Sequence, residues 1–133
     1  MNGADDPIRK NHPEWLLEYS SSFILDPGNP EVIEYLVKVI KDIVTKYNVD
    51  GIVFDDYFYP YEGTKNEDAY SQNLYKPEGK NVGDWRRENC NKLIADIYAM
   101  IQETKPTVKF GIGPFGIWGG SSSVAASYGI ESV

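Results

Sequence analysis

The feature that most constrains the fold is a pair of short, largely apolar runs that do not alternate in polarity. These runs are Gly51–Phe54 and Val108–Ile112. A strand with one face in water alternates apolar and polar residues, whereas a strand that is covered on both faces does not. Each run follows a segment with helical periodicity, so the order helix, strand, helix, strand predicts parallel strands joined by right-handed crossovers. The sequence therefore predicts an α/β fold.

The first helix is predicted from about Pro30 to Tyr47. Its apolar residues recur at i, i+3, i+4 and i+7, which places them on one face. Asn29 is a good N-cap, and proline is favoured at the first helical position. This helix leads into the strand after only a few residues, as in half of a βαβ unit.

The second helix is expected to begin at Asp84, as its N-cap, and to end before Pro106. Residues 58–83 are rich in Tyr, Asn, Glu, Gly and Lys and are expected to form a long loop. A loop of this length within a compact domain is usually functional or disordered. Phe23-Ile24-Leu25 is a candidate for one more brief strand.

Two strands and two helices cannot cover both faces of such a sheet. We therefore expect residues 1–133 to be one section of a (β/α)₈ TIM barrel, about two β/α units of a single domain. Residues 1–14 and 119–133 are expected to be irregular, because they are rich in polar residues, proline, glycine or serine.

Composition excludes several function classes. The net charge of −7 argues against nucleic-acid binding and against contact with an anionic membrane. No basic and apolar leader follows Met1, and no apolar run reaches the ~18 residues of a membrane span. His12 has no His or Cys partner nearby, so no metal site is expected. No phosphate-binding loop is present, so no cofactor is expected. The single cysteine, Cys90, is expected to be a small buried residue rather than a nucleophile.

Two adjacent carboxylates, Asp55 and Asp56, follow the first strand. Side chains alternate along a strand, so the two point to opposite faces. Ile52 and Phe54 suit the space under the helices, which leaves Asp55 aimed at the mouth of the barrel as a catalytic carboxylate. Asp56 is expected to support it. The alternative is that both carboxylates only brace the loop that follows.

Further side chains gather at the same end of the predicted strands. Aromatic rings there suit the stacking of sugars, although they can equally pack the loop onto the barrel rim. Asp26 is a binding candidate that is better explained by an Asp-Pro turn, and Arg86 can either bind substrate or pair with a carboxylate of the loop. The full set of substrate-binding candidates is Tyr57, Tyr59, Trp85, Arg86, Trp118 and Asp26.

At these residues the chain closely resembles the glycosyl-hydrolase-like ten family of bacterial lipoproteins and exported enzymes. The resemblance is carried by LDPGNPEV at 25–32, VDGIVFDDYFYP at 49–60, and DWRREN at 84–89 with KFGIGPFGIW at 109–118. It implies a TIM-type barrel that acts on glycans, and a member of the family cleaves peptidoglycan glycan strands that lack peptides. It also implies a periplasmic, outer-membrane lipoprotein or secreted location.

By this resemblance the chain covers the fourth and fifth strands, and Asp55 matches the fourth-strand carboxylate. Gly113 stands where the family is expected to have serine. Hydrolysis with two carboxylates needs a partner carboxylate ~5–10 Å away across the bond, and Asp56 and Glu62 are the only candidates near Asp55 in the sequence. Asp56 is a poor partner, because adjacent residues on a strand point apart. The second carboxylate is therefore expected outside this chain.

The expected function is hydrolysis of O-glycosyl bonds in a polysaccharide, by a barrel that is present here only in part. This section alone is expected to be inactive. The alternatives are a non-catalytic carbohydrate-binding module and an incomplete segment without activity. The expected partner is a polysaccharide or oligosaccharide, and self-association is a further way to cover exposed barrel edges.

Overall fold

A computed structural model describes residues 6–19, 22–55, 59 and 64–113 of the chain. Its helices and strands follow in an order that confirms the α/β class. In chain order they are α1 (Pro7–Asn11), a 3₁₀ turn (Pro13–Trp15), β1 (Leu16–Glu18), β2 (Phe23–Leu25), α2 (Pro30–Lys46), β3 (Gly51–Asp55), α3 (Ala69–Tyr75), α4 (Val82–Thr104) and β4 (Lys109–Gly113).

The strands form two small open sheets within the described ranges. β3 and β4 pair in parallel, with Gly51 opposite Lys109 and Asp55 opposite Gly113, as predicted. β1 and β2 pair separately and antiparallel, in a hairpin that the sequence did not predict, although the brief strand at Phe23–Leu25 is confirmed. Two small sheets do not by themselves close a barrel.

The core lies between α2, α4 and one face of the β3–β4 pair. Both helices turn their apolar stripes inward because the stripe has a helical period. The Phe54 and Phe110 rings, on the neighbouring strands β3 and β4, meet edge to face at 5.4 Å between centroids, and both pack against the helical core. The buried members of this core are Ile33, Ile40, Val44, Leu93, Ile97, Met100, Ile101 and Val108.

β3 has one covered and one uncovered face. Ile52 and Phe54 pack against the helical core, as the sequence predicted. Val53 points the other way and keeps 70% of its surface exposed. Asp55 shares the face of Val53, because side chains alternate along the strand.

The caps of the two long helices differ in how well they were predicted. α2 begins at Pro30, where the Asn29 side chain accepts a hydrogen bond from the N–H of Glu31 at 3.0 Å, as expected. α4 begins earlier than expected: Asn81 is its N-cap, and Asp84 lies in its first turn. Asn and Asp are similar caps, so the pattern alone could not choose between them.

Two segments that were expected to lack regular structure contain helices. α1 lies within residues 1–14, and the 3₁₀ turn begins there at Pro13 and ends at Trp15. Asp6 caps α1 by accepting from the N–H of Ile8 at 2.8 Å. α3 lies within the predicted loop of 58–83. The irregular tail predicted at 119–133 falls outside the described residues. No helix in the described part of the chain is both long and apolar enough to cross a membrane.

Candidate functional site

Asp55 is the last residue of β3, and its side chain is exposed on the face opposite the helices. Its pairing partner on β4 is Gly113. A Cβ atom at Gly113 would lie 3.3 Å from Asp55 Oδ1, so the carboxylate reaches over the neighbouring strand. Because Gly113 has no side chain, its position on β4 puts no side chain over the carboxylate. Asp56, Tyr57 and Trp118, which belong to the same predicted site, lie outside the described residues.

A second group of polar side chains is buried where α3, the start of α4 and the turn before α2 meet. We refer to Asp26, Asp68, Ser71 and Arg86 as the buried polar cluster. The first three are each at most 2% exposed. Arg86 donates from Nε to Asp68 Oδ2 and from Nη2 to Asp68 Oδ1, both at 2.7 Å. This confirms the alternative in which an arginine of this helix pairs with a carboxylate of the loop.

Asp26 organises the turn that precedes α2. Its Oδ1 accepts a hydrogen bond from the N–H of Gly28 at 2.7 Å, which confirms the interpretation of Asp26 as a turn residue. The hydroxyl of Ser71 donates to the backbone carbonyl of Asp68 at 3.0 Å, and it also lowers the pKa of the nearby Asp26 carboxyl. Burial raises the pKa of Asp26, while the Ser71 and Gly28 hydrogen bonds oppose this shift.

Trp85 packs against the same turn and is only 3% exposed. A Cβ atom at Gly28 would lie 2.5 Å from Cη2 of Trp85, so the indole sits directly on this glycine. Additional chain can only reduce the exposure of Trp85 further. The expectation that Trp85 offers its ring to a glycan is therefore corrected: in this structure the indole fills the space above Gly28.

Tyr59 lies beside the buried polar cluster. The Arg86 guanidinium stands 5.8 Å from the centroid of its ring. Burial raises the pKa of the Tyr59 hydroxyl, and the negative charge of Asp26 adds to that shift. The Tyr59 hydroxyl and Asn89 Nδ2 are near neighbours, yet both are buried and neither completes a hydrogen bond among the described residues.

Two of the most important cluster members, Asp68 and Ser71, were missed from the sequence. They lie in the polar segment that was expected to be a loop, and no spacing or motif distinguishes them from their polar neighbours. The only usable signal was Arg86 itself. Arg86 lies near the start of α4, and a cation there is close to the positive end of the helix dipole, so it needs a compensating anion.

Neither cysteine nor metal chemistry is supported by the described geometry. Burial raises the pKa of the Cys90 thiol to about 12, so it remains protonated near neutral pH, and the residue is partly buried rather than fully buried as predicted. Within residues 6–19, 22–55, 59 and 64–113, no group of three or more His, Cys, Asp or Glu side chains is placed to hold a metal ion.

The fold and the exposed carboxylate define an α/β protein with an acidic group at the carboxyl end of a parallel strand. Over residues 3–129 the chain matches the family described as glycosyl hydrolase-like 10, and it belongs to that family. This confirms the resemblance on which the sequence analysis relied.

Two relatives show how much of such a protein the chain represents. It is 42% identical over 118 residues to glycosyl hydrolase YngK of Bacillus subtilis (strain 168), covering 86% of this chain and 23% of the relative. It is 38% identical over 108 residues to glycosyl hydrolase DigH of Escherichia coli (strain K12), covering 80% of this chain and 25% of the relative. The chain thus spans about a quarter of the length of these relatives.

Proposed function

We propose that this chain is a section of a (β/α)₈ barrel that hydrolyses O-glycosyl bonds of a polysaccharide, with Asp55 as a catalytic carboxylate. Membership of the glycosyl hydrolase-like 10 family and the names of the two relatives support a glycosidase-like role. Glycan strands of peptidoglycan without peptides are the substrate to test first. Asp56 is proposed as a supporting carboxylate.

The observation that carries this proposal is the placement of Asp55. It stands at the carboxyl end of a parallel strand, on the face away from the helices, beside a residue without a side chain. In (β/α)₈ enzymes the catalytic groups lie at this end of the strands. The exposed side chain of Val53 on the same face is the surface that the remaining strands of a barrel would cover.

The chemistry follows from the carboxylate and its partner. Asp55 acts either as the nucleophile or as the general acid and base, and a second carboxylate ~5–10 Å away across the bond takes the complementary role. That second carboxylate belongs to strands beyond this chain. Of the proposed aromatic platforms, Tyr57 and Trp118 remain candidates. Tyr59, Trp85, Arg86 and Asp26 are instead engaged in or beside the buried polar cluster.

The test compares Asp55→Asn with Asp50→Asn in the full-length protein that carries this chain. Both acids are exposed, but Asp50 directly precedes β3 at its amino end, whereas Asp55 is the last residue of β3 at its carboxyl end. Release of new reducing ends from peptide-free glycan strands is expected to fall about 100-fold or more in Asp55→Asn and to stay unchanged in Asp50→Asn. Unfolding midpoints that match the wild type would show that both variants are folded.

Hydrolysis that survives Asp55→Asn unchanged would overturn the catalytic assignment. Saturable glycan binding without turnover, in wild type and variant alike, would favour a carbohydrate-binding module.

A further inference from the structure

Gly113 ends β4 and pairs with Asp55 across the sheet. A glycine weakens a strand, because it loses the most conformational freedom on folding and has no side chain to pack. A left-handed backbone would explain a glycine here, but among the described glycines only Gly79 has a positive φ. The backbone of Gly113 would therefore accept a side chain, and the reason for glycine lies in the space around it.

Among the described residues, the group that a side chain at Gly113 would crowd is the Asp55 carboxylate. The added Cβ would lie 3.3 Å from Asp55 Oδ1 and 3.9 Å from the carbonyl oxygen of Phe54, and only the second distance is an ordinary contact. The carboxylate would have to give way by a few tenths of an ångström. An aspartate side chain can do so by a small turn about its torsions, which costs little. The strand would therefore tolerate the substitution, while the carboxylate would change its position.

Gly111 provides the comparison within the same strand. It lies two residues before Gly113, so it shares the same face of β4, and it pairs with Val53. Within the described ranges a Cβ at Gly111 would meet only Val53 Cγ2, at an ordinary 3.8 Å. The two glycines thus differ in what their missing side chains leave room for. Only at Gly113 is the neighbour a carboxylate, which leans from β3 over the end of β4.

We propose that Gly113 is a positioning residue for Asp55. Its missing side chain lets the carboxylate lean across from β3 over β4, and this position determines the direction from which the carboxylate meets the glycosidic bond. The inference rests on the proposed function, which supplies the reaction. It requires no contact between Gly113 and the substrate, because Gly113 acts through the space that it leaves to Asp55.

The kinetic test uses Gly113→Ala and Gly113→Val in the full-length protein, with Gly111→Ala as the matched control. A displaced carboxylate stabilises the transition state less while the rest of the glycan binds as before, so kcat should fall with little change in KM. We expect kcat to fall about fivefold in Gly113→Ala and about 50-fold in Gly113→Val, because misplacing a reacting group by ~1 Å can cost ~100-fold. Gly111→Ala should keep the wild-type kcat, since its Cβ approaches Val53 and not Asp55.

A readout without activity measures the contact between the two residues directly. Alanine suits a strand better than glycine, so Gly113→Ala should raise the thermal unfolding midpoint, and the contact with Asp55 should oppose part of this gain. In an Asp55→Ala background the carboxylate is absent, so Gly113→Ala should raise the midpoint further than it does in the wild type. Gly111→Ala should shift the midpoint equally in both backgrounds.

If Gly113→Val does not fold, Gly113→Ala decides the question with the same two readouts. Wild-type kcat in the folded Gly113 variants would overturn the proposal. A rise in KM at constant kcat would also overturn it, because the new side chain would then obstruct the glycan rather than move Asp55. Equal midpoint shifts for Gly113→Ala in the two backgrounds would show that the contact with Asp55 has no effect, and the proposal would fail. The proposed function fails separately, by unchanged hydrolysis in Asp55→Asn.

Discussion

Arg86 and Asp68 form a two-pronged ion pair, with Nε bonded to Oδ2 and Nη2 bonded to Oδ1, both at 2.7 Å. The Asp68 side chain has no exposed surface, whereas 19% of the Arg86 side chain is exposed. A buried carboxylate without water requires compensation of its charge and hydrogen bonds to its lone pairs. Arg86 provides the charge, and Gln72 provides one further hydrogen bond.

Arg86→Met is therefore expected to lower the free energy of unfolding by about 3–5 kcal/mol, because it leaves the Asp68 charge buried and unpaired. Asp68→Asn should cost less, since an amide oxygen still accepts one hydrogen bond and the Arg86 cation that loses its counter-ion is partly exposed to water. Urea unfolding of both variants and of the double variant measures the coupling between the two residues.

Lys92→Gln breaks an exposed ion pair of the same helix and is expected to change the free energy of unfolding by less than about 1 kcal/mol. An Arg86→Met variant as stable as Lys92→Gln would show that the pair with Asp68 contributes little.

The elements that were predicted correctly are those whose signals are local. α2 has a cap, a proline at its start and an apolar stripe within one continuous segment. β3 and β4 are largely apolar runs that each follow a helix, and their parallel pairing follows from the crossover between them. The placement of Val53 and Asp55 on the face of β3 opposite Ile52 and Phe54 follows from strand alternation.

The buried polar cluster could not be predicted in the same way, because it depends on tertiary contacts. Asp26 and Ser71 are 45 residues apart in the numbering and meet only when α3 packs on the turn before α2. The polar composition of the segment concealed α3, since its buried face consists of polar groups rather than an apolar stripe. Trp85 was misjudged for a related reason: only the folded chain shows that Gly28 lies beneath it.

Asp26→Asn should abolish one component of the pH dependence of stability. Burial raises the pKa of Asp26 above its ordinary value of 3.8, and nearby Asp68 acts in the same direction, whereas Ser71, the Gly28 N–H and Arg86 oppose it. The folded state thus holds a proton more tightly than the unfolded state. Between the two pKa values unfolding releases a proton, so this group makes stability fall as pH rises.

An asparagine at this position resembles the protonated acid and does not titrate. We expect wild type and Asp26→Asn to have similar free energies of unfolding near about pH 4. As the pH rises towards about 7, the variant should become more stable relative to the wild type. Urea midpoints across this range measure the difference. A difference that stays constant, or that grows in favour of the wild type with rising pH, would contradict the raised pKa.

Gly28→Ala tests the packing of the indole on the turn. The new Cβ would lie 2.5 Å from Trp85 Cη2 and 3.0 Å from both Asp26 Oδ1 and Ser71 Oγ. Rigid neighbours on all sides must shift, and overpacking of this kind costs about 1–3 kcal/mol. Gly111→Ala is the control, because among the described residues its Cβ meets only Val53 Cγ2, at an ordinary 3.8 Å. Thermal unfolding should separate the two variants, and equal midpoints would show that Trp85 can move aside at little cost.

Tyr59→Phe and Tyr19→Phe remove the same hydroxyl group from two different environments. The Tyr59 hydroxyl is buried and completes no hydrogen bond among the described residues, whereas the Tyr19 hydroxyl is bonded to Thr64 at 2.7 Å. Deleting a buried polar group that has no partner removes a desolvation penalty, so Tyr59→Phe should leave the free energy of unfolding unchanged or raise it by up to ~1 kcal/mol. Tyr19→Phe loses a hydrogen bond and should lower it by about 1 kcal/mol. Urea unfolding of the two variants side by side checks this, and an equal loss in both would show that the Tyr59 hydroxyl has a partner, such as an ordered water bridging it to Asn89.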